Sequence, residues 1–279
     1  MFKILLFILI VCSIPALTNE QQLFNLNSFK DGFNLVNEES LEKGELFYLC
    51  EQLYSDYLQY NTISDEYQIP KNIHFIWLGS TLPDICASRI ETWRLLHPDW
   101  NLIVWTDADV KDFNMVNKRA FSKAVNYGQK SDIWRFEILY RYGGVYVDID
   151  FDCLQSFDTL HKSCEFYAGI SRCGTAVMNS LIGSRPHHPI LEACISGLKV
   201  KPHQSDYVKI MEETGPYYFA KIIQKTAFLS PKGSVAIFPP IFFFPYPGIY
   251  RRMLDKEAIS MFAKEESMAI HYWTTSWQK

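Results

Sequence analysis

Residues 131–152 read SDIWRFEILYRYGGVYVDIDFD, and the fold is decided there. Ser131 is the expected N-cap of a helix, with Asp132 complementing its positive end. Ile133, Phe136 and Tyr140 recur at helical spacing and predict one buried stripe. Gly143 and Gly144 supply the backbone freedom that ends a helix at low cost. Beyond them, Val145, Val147, Ile149 and Phe151 alternate with Tyr146, Asp148, Asp150 and Asp152, the period-two pattern of a strand. Two residues along a strand advance about 6.6 Å, so Asp148 and Asp150 are expected to project the same way and flank one divalent cation. Carboxylate oxygens are hard ligands, suited to Mg²⁺, Mn²⁺ or Ca²⁺ rather than zinc. Asp is poor in strand interiors, so these acids belong at a strand's carboxyl end, where open α/β sheets bind ligands.

Other meanings of paired acids narrow quickly. An EF-hand loop starting at Asp148 would need Gly at its sixth position and Glu at its twelfth; Cys153 and Thr159 stand there instead. An aspartyl phosphotransferase with Asp148 as nucleophile fits an apolar strand ending in acids. A solvated strand face is the bland alternative.

Outward from this stretch, the amino-terminal side repeats a strand–helix–strand unit. IHFIWLG (73–79) reads as a buried strand stopped by glycine, 84–96 as a helix closed by His97-Pro98, and NLIVWTD (101–107) as a second strand ending in Asp. That is the βαβ signature of a parallel sheet. Residues 121–127 predict a short helix. On the carboxyl side, EFYAGI and TAVMNS predict two strands, the second closed at Asn179. A Gly/Pro/His-rich turn over 183–189 then leads into a helix through Gly197. Residues 201–225 read as helical, interrupted at Thr214-Gly215-Pro216. VAIFPPIFFFPYP (235–247) carries too many prolines for a central strand and predicts an edge strand followed by an aromatic loop, core or lid.

The 279 residues are 48% hydrophobic and 15% aromatic, which describes a globular chain rather than a disordered one. A net charge of −4, with no basic run, gives no electrostatic case for nucleic acid. The amino terminus carries Lys3 and an uncharged apolar run over 4–17, shorter than the ~20 residues that span a bilayer. Residues 1–18 are read as a signal peptide or a short signal anchor, so the chain is expected on a secretory route, in a lumen, at its membrane or secreted. Residues 19–67 predict a helical stem or cover, and 68–279 one α/β domain. Apart from Cys12 there are six cysteines, whose 15 pairings the spacing leaves open alongside free thiols.

The combined pattern SDxxRxxxLYxxGGxYxDxD, as Ser131, Asp132, Arg135, Leu139, Tyr140, Gly143, Gly144, Tyr146, Asp148 and Asp150, resembles the DXD-containing sugar-transferase family, glycosyltransferase family 32. Its members include fungal initiating α-1,6-mannosyltransferases and inositol-phosphoceramide mannosyltransferases, with clostridial glucosylating toxins more distant. IPKNIHFIWLG (69–79), WTD (105–107), TGPYYF (214–219) and HYWTTSW (271–277) extend the resemblance over about residues 69 to 277.

The resemblance implies a GT-A fold (a mostly parallel Rossmann-like sheet flanked by helices), a GDP-mannose or UDP-hexose donor, Mn²⁺ or Mg²⁺, and retention of anomeric configuration. It implies that Asp148 and Asp150 hold the metal, with His271 and Ser276 completing the metal and diphosphate end. Asp132 and Arg135 would hold the donor sugar, with Tyr146 in the same donor-binding set. Trp77 would stack on the base, Asp107 would lie near base or ribose, and Trp277 would touch the β-phosphate. The acceptor would be a glycan, a glycolipid or a protein, because the loops after Asp152 depart from the family pattern. A non-catalytic sugar-binding module is the remaining alternative.

Overall fold

The computed structural model describes residues 26, 28–33, 41–201, 206–251, 259 and 261–274. Helix α1 (Glu45–Tyr60) precedes the expected βαβ unit: β1 (Asn72–Ile76), α2 (Asp84–Leu96) and β2 (Asn101–Trp105). Two short helices follow, α3 (Asp107–Val110) and α4 (Lys118–Lys123), then α5 (Tyr127–Tyr142) and β3 (Gly144–Val147). After β4 (Phe151–Cys153) and α6 (Asp158–Ser163) come β5 (Phe166–Ile170) and β6 (Val177–Ser184). Helices α7 (Pro189–Gly197), α8 (Tyr207–Glu213) and α9 (Pro216–Thr226) lead to β7 (Val235–Phe238) and finally β8 (Ala269–His271).

Six strands form one sheet in the order β2-β1-β3-β6-β5-β7, while β4 and β8 pair separately. Strands β2, β1 and β3 are parallel, β5 and β7 are parallel, and β6 runs antiparallel between β3 and β5. This mostly parallel sheet flanked by helices is the architecture expected from the sequence. Helices α5, α7 and α9 pack together beside it, with the Phe136 and Phe219 rings 5.7 Å apart. Helix α1 covers β7, where Tyr54 and Tyr57 meet Phe238 edge-on at 5.6 and 5.4 Å. Edge strand β7 is fully buried for that reason. The aromatic run after it is core rather than lid, since Phe242, Phe243 and Phe244 are wholly buried.

Several local expectations change. Helix α5 starts at Tyr127, capped by Asn126, whose side chain accepts from the Gln129 N–H. Ser131 is therefore inside the helix, its hydroxyl donating to the Tyr127 carbonyl. The short helix expected over 121–127 lies at 118–123. Strand β6 runs on past Asn179 to Ser184, because it pairs with β3 and β5 through Gly183 and Ser184. Strand β3 is the larger departure. It stops at Val147, and a turn at Ile149–Asp150 separates it from β4. Asp148, Asp150 and Asp152 consequently do not share one strand face. The six described cysteines are free thiols, all buried except Cys173.

The glycines at the α5–β3 junction have a steric purpose. Gly144 has φ +104°, and a Cβ there would come within 2.5 Å of the Asn72 carbonyl oxygen. Only glycine lets β3 enter the sheet this close to β1.

Candidate active site

The carboxyl ends of β1 and β3 and the beginning of β6 meet at one edge of the sheet and open into a cleft of about 460 Å³. Trp77, Asp132, Arg135, Tyr146, Asp148 and Asp150 all line it, and His271 joins them from β8. Six of these come from only two segments, the end of β1 and the α5–β3 unit.

The DXD acids converge without sharing a strand face. Asp148 is placed by its backbone N–H, which donates to the Ser180 carbonyl at 2.8 Å. At Asp150 the chain changes partners, and its carbonyl accepts the Tyr272 N–H at 2.9 Å. The turn between them gathers ligand atoms of Asp148, Asp150 and His271 within 4.8 Å of one another. Asp152, the third acid of the run, leaves the site. Its carboxylate accepts the Tyr272 hydroxyl at 2.6 Å and faces Arg89 at 4.0 Å.

Arg135 is 3% exposed and organises the helix side. Its Nη2 lies 3.2 Å from both Asp132 and Asp148, Nη1 donates to the Asn179 carbonyl at 2.6 Å, and Nε donates to Ser131. The guanidinium lies 4.5 Å over the Tyr146 ring, whose hydroxyl donates to Asp148 at 2.7 Å. Asp132 also accepts from the Asn179 amide at 2.8 Å and the Thr214 hydroxyl at 3.0 Å. Burial opposes the charge on this carboxyl and pushes it up to about 6, even with Arg135 alongside. Burial raises Asp148 too, against the pull of Arg135.

Asp150 moves the other way. Burial opposes its charge, but the His271 ring and the donors of Thr274 outweigh burial and hold the carboxyl well below the usual carboxylate range. His271 Nε2 lies 3.0 Å from one Asp150 oxygen, while the Thr274 N–H and hydroxyl donate to the other at 2.7 and 2.9 Å.

At the far end, Trp77 is partly buried beside Gly79, which has φ +84°. A Cβ on Gly79 would collide with the Tyr127 ring at 2.3 Å, and the Gly79 N–H donates to Asp107 at 2.7 Å. Asp107 thus fixes the cleft's wall from behind rather than lining it. Three cleft-lining side chains carry buried polar atoms with no hydrogen-bond partner: Trp77 Nε1, Ser180 Oγ and His271 Nδ1. Such atoms are rare in a finished core and common where a polar ligand completes the bonding.

Of the residues expected in the site, Trp77, Asp132, Arg135, Tyr146, Asp148, Asp150 and His271 are brought to one cleft, and Asp107 buttresses it. Ser276 and Trp277 lie outside the described residues. Sequence reasoning missed Asn179, Ser180, Thr214 and Thr274. TGP at 214–216 was noticed as a motif without a role, while nothing in the sequence around Asn179 marks it as Asp132's partner.

Residues 83–167 match the family model described as the glycosyltransferase sugar-binding region containing the DXD motif. The chain is 34% identical over 171 residues to inositol phosphoceramide mannosyltransferase 2 of Schizosaccharomyces pombe, covering 59% of this chain and 49% of that protein. It is 32% identical over 183 residues to mannosyl phosphorylinositol ceramide synthase SUR1 of Saccharomyces cerevisiae, covering 63% and 47%. The chain therefore spans about half the length of these fungal relatives. Among solved structures it is similar to PaToxG glycosyltransferase, with 19% identity, a TM-score of 0.48 and coverage of 73% of this chain and 80% of that one. The resemblance read from the sequence stands.

Proposed function

We propose that this chain, which carries a DXD sugar-binding region, is a metal-dependent, retaining glycosyltransferase. It moves a hexose from a nucleotide sugar to a glycan, glycolipid or protein acceptor. The observation that carries the reading is the gathering of Asp148, Asp150 and His271 within 4.8 Å in a cleft backed by buried Arg135. Mannose is favoured as the transferred sugar by the names of the fungal relatives, with UDP-hexoses as the other donor class.

The donor set fits a divalent cation. Two carboxylates supply hard oxygens, and an imidazole with a buried, unpartnered Nδ1 stands beside them. Oxygen-dominated ligation favours Mn²⁺ or Mg²⁺. Asp148, Asp150 and His271 would hold the ion, with Ser276 assigned to the same end. Bound there, a divalent ion supplies positive charge against the departing diphosphate with no proton from the protein.

The chain's own groups do the rest. Arg135 is a permanent cation held rigid by Asp132, Asp148 and the Asn179 carbonyl, so its charge needs no reorganisation as the diphosphate leaves. Tyr146 orients Asp148 through its hydroxyl. Asp132, fixed by Asn179 and Thr214, presents its carboxyl to the sugar hydroxyls. Trp77 stacks on the nucleobase while Asp107 stiffens the Gly79 loop beside the base and ribose. Trp277 is assigned to the β-phosphate. Retention is assigned to front-face attack, with a donor phosphate oxygen taking the acceptor's proton.

Residues 68–279 are taken as the catalytic unit, 19–67 as its helical cover and 1–18 as a signal peptide or short anchor. That assignment places the enzyme on the secretory route. Among the described residues no helix is long and apolar enough to cross a membrane. Incubating the purified chain with a panel of UDP- and GDP-sugars, with Mn²⁺ or with chelator, tests the proposal. Metal-dependent release of one nucleoside diphosphate, absent in Asp150→Asn, is the expected outcome. Failure of every donor to bind, with or without acceptor, would overturn it.

A further inference from the structure

Of the three residues gathered at the acidic end of the cleft, His271 is oriented by no hydrogen bond from outside that cluster. Its Nε2 lies 3.0 Å from Asp150, a member of the same cluster, and its Nδ1 is buried with no hydrogen-bond partner. A ligating imidazole is ordinarily aimed by a hydrogen bond at its second nitrogen. Here two aromatic rings stand in that place. Phe151, directly across the β4–β8 pair, stacks on the imidazole at 4.3 Å with the two planes 4° apart. The Trp273 indole closes on it at 4.2 Å, tilted by 42°. At such distances the imidazole has little room to turn about its Cβ–Cγ bond.

The backbone at Trp273 shows that this indole is placed deliberately. Its φ is +55°, a left-handed conformation that among the described residues only His187 shares outside glycine. The kink has a clear use. Residues three apart on a strand lie about 10 Å apart and on opposite faces. His271 and Thr274 nevertheless reach the two oxygens of one carboxylate, that of Asp150. Glycine would make the same turn without strain, so a tryptophan there points to a use for the ring itself. The indole is also anchored. Its Nε1 donates to the Tyr246 carbonyl at 2.8 Å, and a Cβ on Gly248 would stand 3.1 Å from it. Trp273 is partly buried and lines the cleft.

We propose that Trp273 is a positioning residue of the metal site, whose indole, with Phe151, holds the His271 imidazole toward Asp150 before any ion arrives. The inference rests on the metal-dependent reading above, because that reading makes His271 a ligand. An imidazole already aimed has little freedom left to lose when it binds an ion. The two-ring cradle is therefore expressed as metal affinity.

Metal binding, measured without donor or turnover, is the test. The full chain, stripped with chelator, is titrated with Mn²⁺ in a calorimeter and is also melted metal-free. Trp273→Ala and Trp273→Gly should each lose Mn²⁺ affinity by about 10-fold, as for other contacts that orient a ligand. Trp273→Phe, which returns an aromatic face, should recover most of that loss. Packing alone would instead lower the melting temperature and leave the Mn²⁺ affinity of the folded protein unchanged. Trp273→Gly at wild-type affinity would overturn the proposal, since glycine keeps the kink and removes only the ring. Should the Ala and Gly variants fail to fold, Phe151→Leu takes away the cradle's other ring and decides the question. An affinity within about twofold of the wild type there, against the 10-fold expected, overturns the proposal. If the wild-type protein binds Mn²⁺ and the ring variants bind it equally well, only the role of Trp273 falls. If the wild-type protein binds no Mn²⁺, the metal-dependent reading falls and the role of Trp273 with it.

Discussion

Two arms hold the acids of the cleft, and they are built differently. The helix arm takes Asp132, Arg135, Tyr146 and Asp148 from one continuous α5–β3 unit and locks them through Asn179 and Thr214. The ribbon arm holds Asp150 through His271 and Thr274, more than a hundred residues later in the chain. In the helix arm burial dominates, and Asp132 rises to about 6. In the ribbon arm His271 and Thr274 dominate, and Asp150 stays ionised. One short acidic segment thus presents carboxyls of opposite character, and the ribbon arm is the fixed anion on which a cation would be anchored.

The largest expected effect comes from breaking the ribbon arm. Asp150→Asn removes an anionic ligand and the partner of His271, and should lower donor turnover by ~10³-fold. Calorimetric titration should show Mn²⁺ affinity lost with it. A variant that keeps Mn²⁺ affinity within about twofold, against the 10–100-fold that even an indirect metal-site contact is worth, would dissolve the distinction between the arms.

Breaking the helix arm at its centre should cost less. Arg135→Lys keeps the charge but cannot bridge Asp132 and Asp148 while donating to Asn179. A fall of ~10² in kcat with Mn²⁺ affinity nearly intact is the expected pattern in steady-state kinetics and metal titration.

Those two substitutions also mark what the sequence could and could not reveal. The βαβ unit, the presence of α5 and the two-glycine junction are governed by neighbours in sequence, through helical periodicity and the steric demand at Gly144, and so they were legible. The single buried stripe expected on α5 was not borne out, since every residue from Asp132 to Leu139 is buried and Tyr140 only partly. The end of β3 was not legible either. Alternating Val and Asp favours a strand through Asp152, yet Asp148 is captured by Ser180 and Asp150 by Tyr272. The turn between them results from two tertiary partners that leave no local mark. The N-cap at Asn126 was hidden for a simpler reason: Ser131 and Asp132 look like a cap, but the helix already runs past them. Within the site, residue types that bear charge were found, while the amide and hydroxyl that satisfy Asp132 were overlooked because Asn179 and Thr214 resemble any strand or loop polar residue.

A contrast at the supporting residues sharpens the comparison further. Tyr272→Phe removes the hydroxyl bonded to Asp152 and should loosen the ribbon that carries His271. Metal affinity should fall by about 10-fold, as for other contacts that orient a ligand. Asn179→Ala instead deprives buried Asp132 of a donor and should cost ~1–3 kcal/mol of stability in urea denaturation. It should change Mn²⁺ affinity little. The two variants exchange their signatures if the arms are in truth one network.

The smallest effect, and the one that addresses the opposite character of the carboxyls directly, is a titration of the metal-free protein. Aspartate labelled at the side-chain carbon should show Asp132 titrating near pH 6 by NMR, with Asp150 flat from pH 8 down to pH 3. Stability must follow the same division. A folded state that raises the Asp132 pKa binds that proton more tightly than the unfolded chain, whose carboxyl titrates near about 4. Its contribution to folding is full below about 4 and is lost as pH rises through about 6. Asp150 is the reverse: its contribution is present above about 4 and disappears as acid protonates the folded carboxyl. Asp132→Asn mimics the protonated group, so its stability relative to the wild-type protein should improve steadily between pH 4 and pH 6 and level off above. A difference that is flat across that window would mean that Asn179, Thr214 and Arg135 together keep Asp132 ionised, and that the two arms hold their acids in the same way.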